Sequence, residues 1–126
     1  MKKILFADDD KNLREYVSTY IPEDKKSFID IADTASAAIN MVKNNKYDKV
    51  VLDIRFNGET LTGLDVLKEA VEQKVPERII FTSVSNRMDL YALGATAAFR
   101  KPLSIKKIAK FLIEDNYELL EEGSFF

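Results

Sequence analysis

The hydrophobic positions of this chain fall into short apolar runs that alternate with longer segments of helical spacing. Five runs of four or five residues predict β-strands, at 4–7, 28–32, 50–54, 78–81 and 95–99. The third run, Val50-Val51-Leu52 followed by Ile54 after one Asp, is nearly continuous. Such a run is typical of a strand that is covered on both faces of its sheet.

The segments after the strands carry apolar residues at i, i+3, i+4 and i+7, which indicates amphipathic helices. The candidate N-caps are Asp10, then Asp33 or Thr34, and finally Ser104. The residues at this spacing are Leu13, Tyr16, Val17 and Tyr20; Ala35, Ala38, Ile39 and Val42; Leu64, Leu67 and Val71; and Ile105, Ile108, Ala109, Leu112 and Ile113, of which the last set is expected to point inward. A helix of about two turns is predicted over 86–93.

Five successive strand–helix units predict an α/β fold, with a five-stranded, doubly wound parallel sheet and helices on both faces. In such sheets ligands bind beyond the carboxyl ends of the strands. A domain over 1–122 and a short C-terminal tail, 123–126, account for the pattern. No stretch reaches the ~20 apolar residues that a membrane span needs, so we expect a cytoplasmic protein.

Composition narrows the chemistry that this fold can carry. The 126 residues suit one domain, and they include no Cys and no His. This excludes zinc fingers, thiolate nucleophiles, disulfides and a histidine base. A bound metal therefore needs oxygen ligands, as Mg²⁺, Mn²⁺ and Ca²⁺ do. The net charge of −2 argues against binding to nucleic acid.

Polar residues stand where the predicted strands end. Positions 8–10 are all Asp, Asp53 ends the third strand, and Thr82 and Lys101 follow the fourth and fifth. The carboxyl ends of parallel strands share one edge of the sheet, so these side chains are expected to converge. Carboxylates in one pocket repel each other strongly. A divalent cation relieves that repulsion, and octahedral Mg²⁺ suits one or two carboxylates together with water.

This set of residues suits the transfer of a phosphoryl group onto a carboxylate. An Asp can act as the nucleophile and form an aspartyl phosphate. The reaction depends on in-line positioning and on neutralising the equatorial oxygens, for which Mg²⁺, Lys101 and Thr82 are candidates. A carboxylate nucleophile requires no base, which agrees with the absence of His.

At these residues the chain resembles the receiver domain of two-component response regulators. The matching segments are 4–10, 50–54, 79–83, 94–95 and 101–102. The resemblance implies a flavodoxin-like (βα)5 fold with strand order 2-1-3-4-5. It also implies a regulatory domain rather than an enzyme. Such a domain catalyses only its own phosphorylation and dephosphorylation. The implied phosphoryl donor is a histidine kinase or a histidine phosphotransfer protein.

The resemblance implies roles for individual residues as well. Asp53 corresponds to the phosphoacceptor, Lys101 to the lysine that contacts the phosphoryl group, and Thr82 to the switch hydroxyl. The implied Mg²⁺ ligands are Asp8, Asp9, Asp53 and the main-chain carbonyl of Arg55. Few residues follow the last predicted helix, so we expect a stand-alone receiver. Its output partner would be an unknown protein rather than nucleic acid or membrane. The receiver itself would be a monomer or a weak dimer.

Two departures from the receiver pattern concern the loops. Asn57 stands where receivers usually have proline, and Gly63 lies two residues further from Asp53 than their usual glycine. Thr82 and Gly94 are 12 positions apart. This spacing is about three residues shorter than is common, nearly one helical turn, so the fourth helix should be short or displaced.

A third departure concerns the switch aromatic, because Ala98 occupies its position. Phe99 is the next residue, and neighbouring strand residues point to opposite faces. Phe99 is therefore expected to fill the core rather than to replace the switch. The chemistry of phosphorylation is expected to be retained, whereas the output face formed by the fourth helix, the fifth strand and the fifth helix should differ.

Two other functions stay open. The missing aromatic and the shortened fourth helix favour a receiver-fold module that binds its partner independently of phosphorylation. A phosphatase of the haloacid dehalogenase type would also use an Asp nucleophile, with a second Asp two residues later. Asp53 is followed by Arg55 at that spacing, and Asp8 by Asp10, but without the other motifs of that class. Asp10 can also be only a helix N-cap.

Overall fold

The computed structural model describes residues 2–54, 60–82, 88–101 and 104–120. Its strands are β1 Ile4–Ala7, β2 Ile29–Ala32, β3 Lys49–Asp53, β4 Glu77–Thr82 and β5 Ala97–Arg100. Its helices are α1 Lys11–Tyr20, α2 Ala35–Asn44, α3 Gly63–Glu72, α4 Met88–Ala92 and α5 Ile105–Glu114. Two 3₁₀ segments, Glu23–Phe28 and Tyr117–Leu119, were not predicted from the sequence.

The five strands form one parallel sheet in the order β2-β1-β3-β4-β5. The predicted fold class and strand order are therefore confirmed. Strand residues alternate between the two faces of the sheet. One face packs, through residues such as Leu52 and Ile80, in a core with α2, α3 and Leu90 of α4. The other packs, through residues such as Phe6 and Phe81, against α1 and α5.

Side chains cap the helices much as the sequence predicts. The Asp10 carboxylate accepts hydrogen bonds from the N–H groups of Asn12 and Leu13 at the start of α1. Thr34, not Asp33, caps α2. Ser104 caps α5 through the N–H of Lys107. The beginning of the predicted fourth helix, at residues 86–87, lies outside the described ranges.

A buried lysine at the amino end of the sheet was not predicted. Lys49 begins β3, and its side chain is fully buried. It forms an ion pair with Asp115 and lies 3.8 Å from Glu77. Its Nζ is 4.7 Å from the ring centroid of Phe111. Lys2 sits outside this cluster and contacts both carboxylates, so two positive charges meet two negative ones.

The protonation of Lys49 is expected to make stability depend on pH. Burial lowers the pKa of Lys49 from 10.5 to about 8, against the opposing attraction of Glu77. Above about pH 8 the unfolded chain therefore binds more protons than the folded one, and the free energy of unfolding should rise with pH. Between about pH 8 and 9.5 we expect a contribution of about 1.5 kcal/mol from this residue.

Urea unfolding of the wild type and Lys49→Met across that pH interval measures the effect. The rise due to Lys49 should be absent from Lys49→Met and should remain in Lys46→Met, which removes an exposed lysine. Equal pH slopes for the wild type and Lys49→Met would contradict the assignment.

Candidate functional site

Three carboxylates meet at the carboxyl edge of the sheet. Ala7 of β1 pairs with Leu52 of β3, so the residues that follow them, Asp8 and Asp53, are neighbours. One carboxylate oxygen from each of Asp8, Asp9 and Asp53 lies within 4.8 Å of the others. Asp8 is 1% exposed and Asp53 is 6% exposed. The predicted convergence of these residues is confirmed.

Backbone and side-chain groups hold Asp8 in place. Its N–H donates to the carbonyl of Ala32 (3.2 Å), and its carbonyl accepts from Nη1 of Arg14 (3.0 Å). Its Oδ1 accepts from the N–H of Asp10 (2.9 Å). Its other oxygen, Oδ2, is buried and has no hydrogen-bond partner among the described residues. A buried oxygen left in this state is destabilising unless it is protonated or binds a cation.

The electrostatics of the cluster follow from this burial. Desolvation, with the nearby charges of Asp53 and Asp9, raises the pKa of Asp8 from 3.8 to about 6. The N–H of Asp10 and the charge of Lys101 oppose the shift. At Asp8, desolvation and the neighbouring carboxylates therefore outweigh the groups that favour the charged form.

Lys101 supplies positive charge beside the acidic cluster. Its Nζ lies 3.0 Å from Oδ2 of Asp53. Its main-chain N–H donates to the carbonyl of Thr82 (2.7 Å), which fixes the end of β5 against the end of β4. Thr82 is itself buried. The structure thus brings the predicted lysine into contact with the predicted acceptor and sets the predicted threonine beside that lysine.

A cleft of about 220 Å³ opens next to these residues. It is lined by Asp8, Asp10, Leu13, Phe81, Lys101, Ile105 and Ile108. The cleft therefore has polar groups on one side and apolar groups from α1 and α5 on the other. Asp10, the N-cap of α1, lines the cleft but is not one of the three clustered carboxylates.

Gly63 fits the first turn of α3 closely over the end of β3, a constraint that the sequence pattern does not show. A Cβ at this position would lie 1.9 Å from the carbonyl oxygen of Asp53. The N–H of Gly63 donates to the carbonyl of Ile54 (2.7 Å). Gly63 therefore allows α3 to begin directly against the residue that carries the central carboxylate.

Of the remaining residues that the sequence singles out, some lie within the described ranges and others do not. Phe99 packs on the α1/α5 side, with its ring centroid 6.5 Å from Phe81 and 6.4 Å from Tyr117. Ala98 is buried in the opposite core. The prediction that Phe99 fills the core is confirmed. Arg55 and Asn57 lie outside the described residues.

Comparison with known proteins identifies the family. A sequence profile of the response regulator receiver domain matches residues 4–113. The chain belongs to the receiver domain family. The match includes the five strands, the helices α1 to α4 in full, and α5 except for its last residue. It also includes each of the clustered residues.

Curated relatives of this receiver are longer proteins. It is 26% identical over 110 residues to the Aerobic respiration control sensor protein ArcB of Escherichia coli, covering 82% of this chain and 14% of ArcB. It is also 26% identical to the Transcriptional regulatory protein CutR of Streptomyces coelicolor, covering 84% of this chain and 49% of CutR. The chain thus spans half or less of the length of these relatives.

Solved structures share its fold. The receiver domain of the Francisella response regulator 1452 has a TM-score of 0.69 at 24% identity, covering 91% of this chain and 98% of that one. A CheY-like receiver from Methanospirillum hungatei has a TM-score of 0.71 at 21% identity, covering 98% and 99%. No helix in the described part of this receiver combines the length and apolar character that crossing a membrane requires.

Removal of the Asp8 charge should stabilise the metal-free protein. The folded-state pKa of Asp8 lies above that of the unfolded chain, so its carboxylate opposes folding at neutral pH. We expect Asp8→Asn to raise the free energy of unfolding by about 2 kcal/mol. Urea unfolding near pH 7 in the presence of a chelator measures this.

The same variant should lose its response to a divalent cation. Added Mg²⁺ should stabilise the wild type, because it binds the folded state, and should stabilise Asp8→Asn far less. Asp10→Asn is the matched control, since Asn retains the N-cap and the three clustered carboxylates stay. A destabilised Asp8→Asn, or one that Mg²⁺ stabilises as it does the wild type, would contradict the interpretation.

Proposed function

We propose that this receiver accepts a phosphoryl group on Asp53 in a Mg²⁺-dependent reaction. The observation that carries the proposal is the environment of the Asp53 carboxylate. Lys101 Nζ lies 3.0 Å from its Oδ2, and a carboxylate oxygen from each of Asp8 and Asp9 lies within 4.8 Å of one of its oxygens. Membership of the receiver family supports the same function. The phosphoryl donor would be a histidine kinase or a histidine phosphotransfer protein.

The residues of the cluster fit a Mg²⁺ ion. The donor set is entirely oxygen, which Mg²⁺ prefers, and within the described ranges Oδ2 of Asp8 is buried with no hydrogen-bond partner. Asp8, Asp9 and Asp53 would hold the ion, and the carbonyl of Arg55, outside the described residues, is a further proposed ligand. When bound, Mg²⁺ supplies positive charge to the oxygens of the transferring group.

Asp53 acts as the nucleophile in the proposed reaction. A P–O bond forms to one of its carboxylate oxygens as the P–N bond to the donor's histidine breaks, and the electron pair of that bond returns to the imidazole. No general base is needed because the nucleophile is already a carboxylate. Desolvation around Asp53 strengthens the interactions that orient the incoming group.

Lys101 and Thr82 act on the product. The Lys101 ammonium, already beside Asp53, neutralises a phosphoryl oxygen. The Thr82 hydroxyl donates to another oxygen, since Thr82 is joined to Lys101 through a main-chain hydrogen bond at the same edge of the sheet. The aspartyl phosphate would then alter binding to an unknown downstream protein. Histidine kinases draw their phosphoryl groups from ATP, so this role implies a cytoplasmic location.

Phosphorylation by acetyl phosphate tests the proposal. With Mg²⁺ present, the intact wild-type protein should gain the mass of one phosphoryl group, and Asp53→Asn should gain none. Asp10→Asn should be labelled like the wild type, because its carboxylate lies outside the cluster. If acetyl phosphate and a phosphoramidate both leave the wild type unlabelled, phosphoryl acceptance by Asp53 is wrong.

A second candidate function is a receiver-fold module whose binding does not depend on phosphorylation. Ala98, in the buried position where receivers carry a switch aromatic, favours it. Equal affinity of a partner for the phosphorylated wild type and for Asp53→Asn would support this candidate. The phosphatase alternative has no such support, because the family match is to receivers.

A further inference from the structure

A cleft of about 400 Å³ lies at the amino edge of the sheet, away from the acidic cluster. One wall is formed by residues 43–48, which lead from the last turn of α2 toward β3. The other is formed by residues 73–76, which lead from α3 to β4. Asp53 is at the far end of β3, so the length of that strand separates the cleft from the candidate site.

Lysines give this cleft a positive charge. Lys43, Lys46 and Lys74 line it, and Asp48 is the one carboxylate among its lining residues. Lys43 lies 3.8 Å from Glu69 of α3, so part of its charge is balanced. Lys46 and Lys74 are exposed, and within the described ranges no hydrogen bond or ion pair engages their ammonium groups. These two charges are therefore available to a ligand.

Lys74 holds a backbone conformation that favours glycine. Its φ is 58°, and it follows Gln73, the C-cap of α3. The N–H of Lys74 donates to the carbonyl of Val71 (3.0 Å). The next N–H, that of Val75, donates to the carbonyl of Ala70 (3.0 Å). This is the Schellman arrangement, in which glycine usually takes the position of Lys74 because a β-carbon is disfavoured there.

A second residue of this kind shows what can offset such a conformational cost. Among the described residues, Asp115 is the one other non-glycine residue with a positive φ. Its carboxylate forms ion pairs with Lys2 (2.8 Å) and with Lys49. Lys74 has no comparable compensation in the described part of the chain. Its side chain therefore indicates an interaction with another molecule.

The amides that line the cleft indicate what kind of anion fits it. Asn44 and Asn45 donate their side-chain N–H groups to the carbonyls of Asn40 (2.8 Å) and Met41 (3.0 Å), which leaves their side-chain oxygens as acceptors. A ligand with both negative charges and N–H donors matches these groups. A compact anion such as phosphate fits less well, because α2 and α3 both end here and their C-termini carry partial negative charge.

We propose that the lysine cleft, formed by residues 43–48 and 73–76, binds an acidic peptide segment of a partner protein. Carboxylates of the peptide pair with Lys46 and Lys74, and its main-chain N–H groups donate to Asn44 and Asn45. The cleft lies at the opposite edge of the sheet from Asp53, so binding requires no phosphorylation. This interaction goes beyond phosphoryl acceptance and does not depend on it.

Fluorescence anisotropy at low salt, with a fluorescein-labelled peptide of alternating Glu and Gly residues, tests the proposal. The wild type should bind the peptide. Lys46→Gln and Lys74→Gln should each weaken binding about two- to fivefold, the effect of losing one exposed ion pair, and the double variant about tenfold. Lys106→Gln is the matched control, because Lys106 is exposed on α5, which packs against the other face of the sheet. It should bind like the wild type, as should Asp53→Asn.

Lys74→Gly separates binding from a structural role of this lysine. Glycine relieves the strain at this φ, so the urea concentration at the unfolding midpoint should rise. Loss of the ammonium group should weaken peptide binding as much as Lys74→Gln does. A lysine that only stabilises the end of α3 would give the opposite result, a lower midpoint with unchanged affinity.

Amide resonances of the ¹⁵N-labelled protein locate the bound peptide. They should shift at residues 43–48 and 73–75 and should stay in place around Asp53. The proposal is wrong if the wild type does not bind, if the shifts lie only on other surfaces, or if Lys106→Gln weakens binding as much as Lys74→Gln. It is also wrong if single-stranded RNA of equal charge binds the cleft more tightly than the peptide. None of these outcomes alters the test of Asp53 with acetyl phosphate.

Discussion

The mutual repulsion of three carboxylates is the constraint on which the rest of this structure depends. Asp8, Asp9 and Asp53 are held within 4.8 Å of one another, and two of them are buried. Like charges at this distance in a poorly solvated site oppose folding. They persist because the parallel pairing of β1 and β3 fixes their backbones, and because Lys101 offsets part of the charge. Under the proposed function, the negative charge that remains would favour the binding of a cation.

The two edges of the sheet show how differently charge can be used in one fold. At the amino edge, Lys2 and Lys49 face Glu77 and Asp115, so two positive charges balance two negative ones. At the carboxyl edge, three carboxylates face the single ammonium of Lys101 in the described residues. A balanced buried cluster fixes geometry and has no need of a ligand. An unbalanced one gains stability when a cation binds, which is why reactivity is expected at the carboxyl edge.

Local patterns predicted most of the fold, because strands and caps depend on neighbouring residues. The run of apolar residues in β3 and the cap at Asp10 are examples. The candidate site was predictable because parallel topology alone gathers strand ends. The burial of Lys49 was not predictable, because a lysine at the start of a strand normally extends into solvent. Its burial depends on Asp115, which is distant in sequence. The close fit of Gly63 over Asp53 likewise depends on where α3 meets β3, which no periodicity encodes.

The replacement of an aromatic by Ala98 changes what the fifth strand can transmit. An aromatic on β5 can move only its own side chain, because the strand is held by pairing with β4. In this chain the aromatic group near Ala98 belongs to α4, because the Tyr91 hydroxyl accepts a hydrogen bond from the main-chain N–H of Ala98. Phe99 cannot substitute, because it packs between Phe81 and Tyr117 on the opposite face. The aromatic surface over Ala98 is therefore supplied by α4, where Met88 and Leu93 are exposed on either side of Tyr91.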